Sequence, residues 1–473
     1  MAENPRVVSV GAQPTEERSR TWWYTLAALL AVGFAIRVLY IVGWQDPTSF
    51  PVDGWYYHLA ANGLADGNGY SNPIQTALLE VPGVDASGIH LYPGADHPPG
   101  FGTLLSVTSF LGLRGALAHQ VWCAVMGTVT VLLIGLIGRR LAGNRAGLVA
   151  AGIAAVYPAL WSTDAYLAVE TPGTMFCALA VILTYRVLDR PTPWRAVALG
   201  AVIGLAALTR SELIMLVALL AVPAVLIGGG SIRRRLAVAG LAAAATLAVV
   251  LPWVVWTSSQ TEYLVPISAS SGALLAGSNC SSAFRGPDIG GWSYVCSVRG
   301  SKVGEDPTVV DRSARQYGLD DLRDNLDRLP VVTLARLGRT YGIFHPMASH
   351  QGDVRREPLV AAAMLVSYWV LAAGAVVGAV VLRRRRVPSW PLLSLVALSF
   401  LVTVSSYGNV RFRAPAEIAI VVLAAVAVEH LLARRRGRAT SASDPGPAAD
   451  GTRADDVAAD VASPVGAQPS GRT

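Results

Sequence analysis

A few ionisable residues stand where an apolar chain has little room for them, beside long hydrophobic runs. Asp53 lies in Phe50-Pro-Val-Asp-Gly-Trp-Tyr-Tyr-His58. Aromatic surroundings desolvate a carboxylate and raise its proton affinity, which suits a general base. A metal ligand and an ordinary Asp-Gly turn are the other readings of this residue. Asp164 and Glu170 share the segment Trp161-Ser-Thr-Asp-Ala-Tyr-Leu-Ala-Val-Glu-Thr-Pro172. Either acid could serve chemistry. Equally, Glu170 could stand at a helix N-terminus, where a carboxylate is favourable, and Asp164 could be a solvated loop residue. Arg210 and Glu212 fall between two apolar runs with almost no loop. They read as a local ion pair or, for Arg210, as a guanidinium fork for phosphate oxygens. Arg411 and Arg413 flank Phe412 in Gly408-Asn-Val-Arg-Phe-Arg-Ala-Pro415, a pattern suited to an anionic ligand. His97, rigidified by Pro98 and Pro99, is either a structural residue or a proton shuttle and hydrogen-bond donor.

The elements that must position these residues are membrane helices. The 473 residues are 53% hydrophobic and 15% charged, against roughly 25% charged in a soluble domain. Apolar runs predict about ten helices: Trp22–Val42, Ala116–Ile137, Ala146–Leu160, Thr171–Leu188, Arg195–Thr209, Glu212–Ile227, Leu236–Trp256, Leu359–Leu382, Pro388–Ser405 and Ala414–Leu432. The expected fold class is therefore an all-α polytopic membrane protein. Met1–Arg20 is polar, and the first apolar run reads as a retained helix rather than a cleaved signal. The net charge of +7 comes from Arg clusters between apolar runs, so it points to membrane topology and not to nucleic acid. There is no Walker motif, Gly-rich nucleotide loop or Cys/His metal cluster in the sequence. A nucleotide-driven pump is thereby disfavoured.

The clusters Arg139/Arg140/Arg145, Arg190/Arg195, Arg233–Arg235, Arg383–Arg386 and Arg434–Arg438 fall on alternate loops, on the side of the Arg-containing N-terminal tail. By the positive-inside rule that side is the cytoplasm, and both termini lie there. The outer face then receives the long loops 43–115 and 257–358, the short loop 161–170, Arg210, and 406–413. Within the longer loop, Val309–Leu337 has leucines near helical spacing and reads as an amphipathic helix. Cys280 and Cys296 share that loop, and in an oxidising compartment they would form a disulfide. The expected organisation is a cytoplasmic tail over 1–20, a membrane domain over 21–436, and a disordered cytoplasmic tail over 437–473.

Taken in order, Arg37-Val-Leu-Tyr40, Asp53 before Tyr57-His58-Leu-Ala, Gly67-Asn-Gly-Tyr70, His97-Pro-Pro-Gly100, Tyr157-Pro158, Glu170-Thr-Pro172, Leu208-Thr-Arg210 and Arg411-Phe-Arg-Ala-Pro415 resemble the polyprenyl-phosphate-dependent GT-C glycosyltransferases. The resemblance is to the family 39 branch, with protein O-mannosyltransferases and aminoarabinose transferases as relatives. It implies a GT-C-like bundle with an outward-facing site on a bacterial plasma membrane. The implied reaction is inverting transfer of a mannose or pentose from a polyprenyl-phosphate carrier to an envelope glycan, lipid or protein. On this resemblance Asp53 is the first-loop carboxylate and Asp164 or Glu170 the second. Arg210, Arg411 and Arg413 hold the carrier phosphate, and Arg37, Tyr57, His58 and His97 complete the substrate-binding set. A divalent cation, Mg or Mn, is left open. Asp53 is followed by Gly54, where protein mannosyltransferases have adjacent Asp-Glu, and this speaks against a protein acceptor. The competing expectations are a lipid or sugar flippase, which would show internal repeats and acids deep in the helices, and a non-catalytic envelope scaffold.

Overall fold

The apolar runs fold as helices in the computed structural model, which describes residues 16–44, 52–79, 81, 90–227, 231–301, 304–351 and 356–442. Among these residues there is no strand, only an isolated antiparallel bridge between Ser71 and Pro93. In chain order the helices begin with α1 (Glu16–Gly43), α2 (Val52–Ala65), α3 (Pro73–Leu79), α4 (Gly100–Phe110) and α5 (Ala116–Ala142). Next come α6 (Asn144–Val156), α7 (Pro158–Trp161), α8 (Glu170–Asp189), α9 (Pro193–Thr209), α10 (Val222–Ile227) and α11 (Ile232–Ser258). The long loop holds α12 (Ser271–Asn279), α13 (Ser281–Phe284), α14 (Tyr294–Ser297), α15 (Pro307–Arg323), α16 (Leu329–Thr340) and α17 (Pro346–Gln351). The last three are α18 (Pro358–Arg384), α19 (Trp390–Ser405) and α20 (Ala414–Ala442). By contacts the chain divides into residues 1–430 and 431–473. In the second unit, α20 runs on to Ala442, past the boundary expected at 436, and residues 443–473 lie outside the described residues.

Among the described residues six helices are long and apolar enough to cross a bilayer, and the α6–α7 region adds a seventh span if its bent pair counts as one. The bend is 58° and falls where Pro158 follows Tyr157. Proline disfavours a helical residue before it and cannot donate to the ladder, so the predicted single helix breaks there. The expected helix 212–227 is likewise irregular: a 3-10 turn at Ser211–Met215, a π turn at Val217–Ala221, then α10, with Pro223 lacking the amide a regular ladder would use. Side chains such as Val255, Leu359, Val366, Val370 and Val376 are exposed, as lipid-facing positions should be.

Packing between the spans relies on small residues that let backbones approach. Gly200 and Gly204 of α9 sit against Ala242, Thr246 and Val249 of α11, and Thr246 Oγ1 donates to the Gly200 carbonyl at 2.9 Å. Arg140 at the end of α5 pairs with Asp189 at the end of α8 at 2.6 Å, and Arg139 stacks 4.1 Å over the ring of Trp22 in α1.

At the other end, the amphipathic segment expected over 309–337 is two helices. Asn325 and a 3-10 turn at Leu326–Arg328 separate α15 from α16, and Pro330 stands in the first turn of α16, where its missing amide costs nothing. Cys280 and Cys296 form a disulfide. Arg336 and Arg339 of α16 bind this loop by carbonyls: Arg336 to Ser278 at 2.8 Å and Val404 at 3.2 Å, Arg339 to Ile289 at 2.7 Å and Pro287 at 2.6 Å. The Gly408 amide donates to the Gly290 carbonyl at 2.7 Å. The disulfide loop is thus tied to the segment that carries Arg411.

Candidate active site

Four of the residues singled out in the sequence meet at this end of the bundle, brought from α2, α8, the α9 terminus and the turn before α20. Glu170 opens α8 and is buried, with its carboxylate at the favourable end of the helix dipole. Its Oε1 accepts from Arg210 Nη1 at 2.6 Å and from Arg411 Nε at 2.6 Å. Arg210 ends α9 in an extended conformation and also holds Glu212 through Nε at 2.7 Å and Nη2 at 2.6 Å. All three of its nitrogens are therefore engaged by acids. Arg411 sits in a 3-10 turn (Val410–Arg413) capped by the Asn409 side chain, which accepts from the Arg411 amide at 3.1 Å. Among the described residues its Nη1 and Nη2 make only long contacts, 3.4 and 3.5 Å, to Asp53 Oδ2. The Asp53 side chain is 39% exposed and that of Arg411 28%. The arrangement is graded: a buried anchor at Glu170, and at Arg411 an oriented guanidinium whose outer nitrogens face a reachable carboxylate.

Tyr57 is buried beside this cluster, one turn on from Asp53. Burial pushes its phenol well up; the charges of Asp53 and Glu170 add to the effect, and those of Arg411 and Arg210 oppose it. It stays protonated and can donate. His97 packs against Tyr56 and Tyr57, with ring centroids 4.4 and 5.3 Å apart. A shallow cleft lies there, lined by Tyr57, Tyr70, His97, Pro99 and Trp253 among others.

The remaining predicted residues lie in other groupings. Arg37 and Asp164 form a buried ion pair, Nε to Oδ2 at 2.7 Å, and Asp164 Oδ1 accepts from the Thr171 hydroxyl at 2.6 Å. This pair sits against Gly127, where any Cβ would collide with it. A small pocket lined by Arg37, Thr130, Thr163, Asp164, Glu170 and Thr174 among others touches both the pair and Glu170. Arg413 is fully buried, paired with Glu417 at 2.5 Å and stacked 3.6 Å over Tyr368. His58 contacts His119, Nδ1 to Nδ1, at 3.0 Å, and burial pushes its imidazole down, so it is held neutral. Sequence reading passed over Glu417, although an acid inside an apolar helix was a signal.

The side chains do not fit a divalent cation as they stand. Asp53 and Glu170 each face a guanidinium, and among the described residues no group of three or more His, Cys, Asp or Glu is placed to hold a metal.

The helical fold is similar to that of a solved membrane oligosaccharyltransferase. The model of the dolichyl-phosphate-mannose-protein mannosyltransferase family matches residues 96–256, a stretch that includes Glu170 and Arg210 but neither Asp53 nor Arg411. The oligosaccharyltransferase of Archaeoglobus fulgidus, in its crystal structure with Zn and sulfate, is similar with a TM-score of 0.53 and 16% identity, over 88% of this chain and 50% of that one. The same organism's enzyme AglB, in complex with an inhibitory peptide and a dolichol-phosphate, matches with a TM-score of 0.51 and 14% identity, over 91% and 53%. The chain thus spans about half the length of the oligosaccharyltransferase it matches. ArnT from Cupriavidus metallidurans bound to undecaprenyl phosphate covers 90% of this chain and 81% of its own at 15% identity, with a TM-score of 0.40, too low to carry a structural equivalence. No curated protein matches the chain in sequence.

Proposed function

We propose that the protein is a glycosyltransferase that moves a sugar, a mannose or a pentose, from a polyprenyl-phosphate carrier to an envelope glycan, lipid or protein on the outer face of a bacterial plasma membrane. Both termini are then cytoplasmic. The observation that carries this reading is the single guanidinium, Arg411, set between a buried acid and a reachable one. Its Nε is fixed on Glu170 at 2.6 Å, while its Nη atoms touch Asp53 only at 3.4–3.5 Å. Nitrogens held in place but weakly satisfied suit an arriving phosphate.

The chemistry is a single displacement with inversion. Asp53 accepts the proton of an acceptor hydroxyl. The acceptor oxygen forms its bond to the anomeric carbon as the bond from that carbon to the phosphate oxygen breaks. The electron pair leaves on the phosphate, where Arg411 stabilises it. Arg210, with all its nitrogens committed, acts through Glu170 as a positioning residue. The cleft of Tyr57, Tyr70, His97 and Trp253 offers aromatic faces and hydroxyls for a sugar ring.

The test compares cells lacking the protein, restored with wild type or with Asp53→Asn at equal expression, by mass spectrometry of envelope glycans, lipids and glycoproteins. A sugar missing from both the deletion and the Asp53→Asn strain supports the transferase and names its product. A sugar missing only from the deletion removes Asp53 from the mechanism and favours a scaffold or flippase.

A further inference from the structure

The aim of Arg411 depends on both ends of its side chain. The outer end is fixed by Glu170, which takes Nε at 2.6 Å. The inner end is the backbone of the 3-10 turn Val410–Arg413. There the Arg411 amide donates to Asn409 Oδ1 at 3.1 Å, so this cap is only as well placed as Asn409 itself. What places Asn409 is a residue of another element. Thr340, the last residue of α16, is fully buried. Its Oγ1 accepts from the Asn409 amide at 3.1 Å and from the Thr403 hydroxyl at 3.2 Å. Its carbonyl accepts from Arg413 Nη1 at 3.3 Å. Thr340 thus grips the turn on both sides of Arg411.

The end of α16 is shaped for this grip. The last carbonyls of a helix have no partner within it. Here the amides of Ile343 and Phe344 fold back on the Gly338 carbonyl at 2.7 and 2.9 Å, a reversal that Gly342 permits with its φ of 69°. The Thr340 carbonyl is left over and goes to Arg413. The segment before the turn is also pressed against the helix. A Cβ on Gly408 would stand 2.5 Å from the Arg336 carbonyl oxygen and 2.8 Å from Arg339 Cβ. Contact this close leaves little slack, so the hydrogen bonds made by Thr340 set where the Arg411 side chain begins.

We infer that Thr340 is a positioning residue for donor binding: through Asn409 it fixes the backbone from which Arg411 reaches the carrier phosphate. The inference rests on the reading of Arg411 as the phosphate ligand. It gives the long outer loop 257–358, in which none of the sequence motifs falls, a part in holding the donor. Thr340 is fully buried and acts at one remove. Its loss misdirects a guanidinium whose placement matters to within a fraction of an ångström.

The experiment uses the full chain in lipid nanodiscs, as wild type, Thr340→Val, Thr340→Ser, Thr403→Val, Arg411→Ala, and the double variant of Thr340→Val with Arg411→Ala. Each is titrated with a short-chain polyprenyl monophosphate and with the matching polyprenol, which lacks the phosphate. Thr340→Val keeps the branched shape and removes the acceptor. It should lose about fivefold in affinity for the phosphate, the scale of one hydrogen bond, with polyprenol binding unchanged. Thr340→Ser restores the oxygen and should return to near wild type. Thr403→Val removes the other bond to that oxygen and should leave phosphate affinity near wild type. On the Arg411→Ala background, Thr340→Val should cost nothing more, because both act through one group. Phosphate affinity in Thr340→Val equal to wild type overturns the inference. So do losses that add in the double variant, or an equal loss in Thr403→Val, which mark a general loosening of the fold. If Thr340→Val does not fold, Asn409→Ala cuts the same chain one link on, and wild-type phosphate affinity there overturns the inference too. Wild type that fails to prefer the phosphate over the alcohol sinks the donor reading itself. A preference lost in Arg411→Ala but kept in full in Thr340→Val sinks only the role of Thr340.

Discussion

Replacing Arg37 by Met should cost the bundle much of its stability, and replacing Asp164 by Asn in the same chain should restore it. Both side chains are at most 2% exposed, and they meet at 2.7 Å. Without Arg37, Asp164 keeps one described hydrogen bond, from Thr171 at 2.6 Å, and no counter-charge. Leaving one partner of a buried pair alone costs about 3–5 kcal/mol, whereas removing both charges is often close to neutral. The amide introduced by Asp164→Asn would keep the shape of the side chain and the contact with Thr171. The assay is the unfolding midpoint in detergent, followed by intrinsic fluorescence, for wild type, both single variants and the double variant, with sugar transfer measured alongside. The reasoning predicts a large drop for Arg37→Met, recovery of most of it in the double variant, and transfer activity that recovers with the fold. A double variant as unstable as Arg37→Met would refute the pairing argument. A double variant that folds like wild type but transfers no sugar would give the Arg37–Asp164 pair a part in the chemistry beyond stability.

Three other outcomes follow from the same geometry. Arg411→Ala should weaken donor binding about tenfold or more while leaving acceptor binding near wild type, measured by separate titrations; an unchanged donor affinity removes its phosphate role. Gly127→Ala should cost about 1–3 kcal/mol by overpacking, because its Cβ would collide with Asp164 Oδ2 and lie 2.7 Å from Arg37 Nε, and Gly173→Ala should be milder, because its nearest contact is Arg210 Cδ at 3.3 Å; equal unfolding midpoints for the two would contradict this. Reducing the Cys280–Cys296 bridge, which closes a sequence separation of 16, should lower stability by about 3 kcal/mol on loop-closure grounds, read as a fall in midpoint on adding reductant that a Cys280→Ser variant does not show.

Hydropathy located the membrane helices because lipid demands long apolar runs, and all ten expected runs are helical over most of their length. Breaks within them were less visible. Pro158 bends the third run and Pro223 follows a π turn in the sixth, effects that depend on how the neighbouring turns accommodate a missing amide. Candidate residues were legible because charges beside apolar runs stand out, but their partners were not. Arg37 and Asp164 are 127 residues apart, and Arg411 and Glu170 are 241 apart; no spacing rule reaches that far. Only the folded bundle separates Glu170, which bears on Arg411, from Asp164, which does not.

The central claim is that Asp53 takes the proton in a transfer from a polyprenyl-phosphate sugar. The most direct test is release of polyprenyl phosphate from such a donor by purified, reconstituted protein, wild type against Asp53→Asn, with an envelope extract as acceptor. Wild type should release it in an acceptor-dependent way, and an Asp53→Asn protein with a wild-type unfolding midpoint and donor affinity should lose nearly all of that release. Release by Asp53→Asn at the wild-type rate would contradict it.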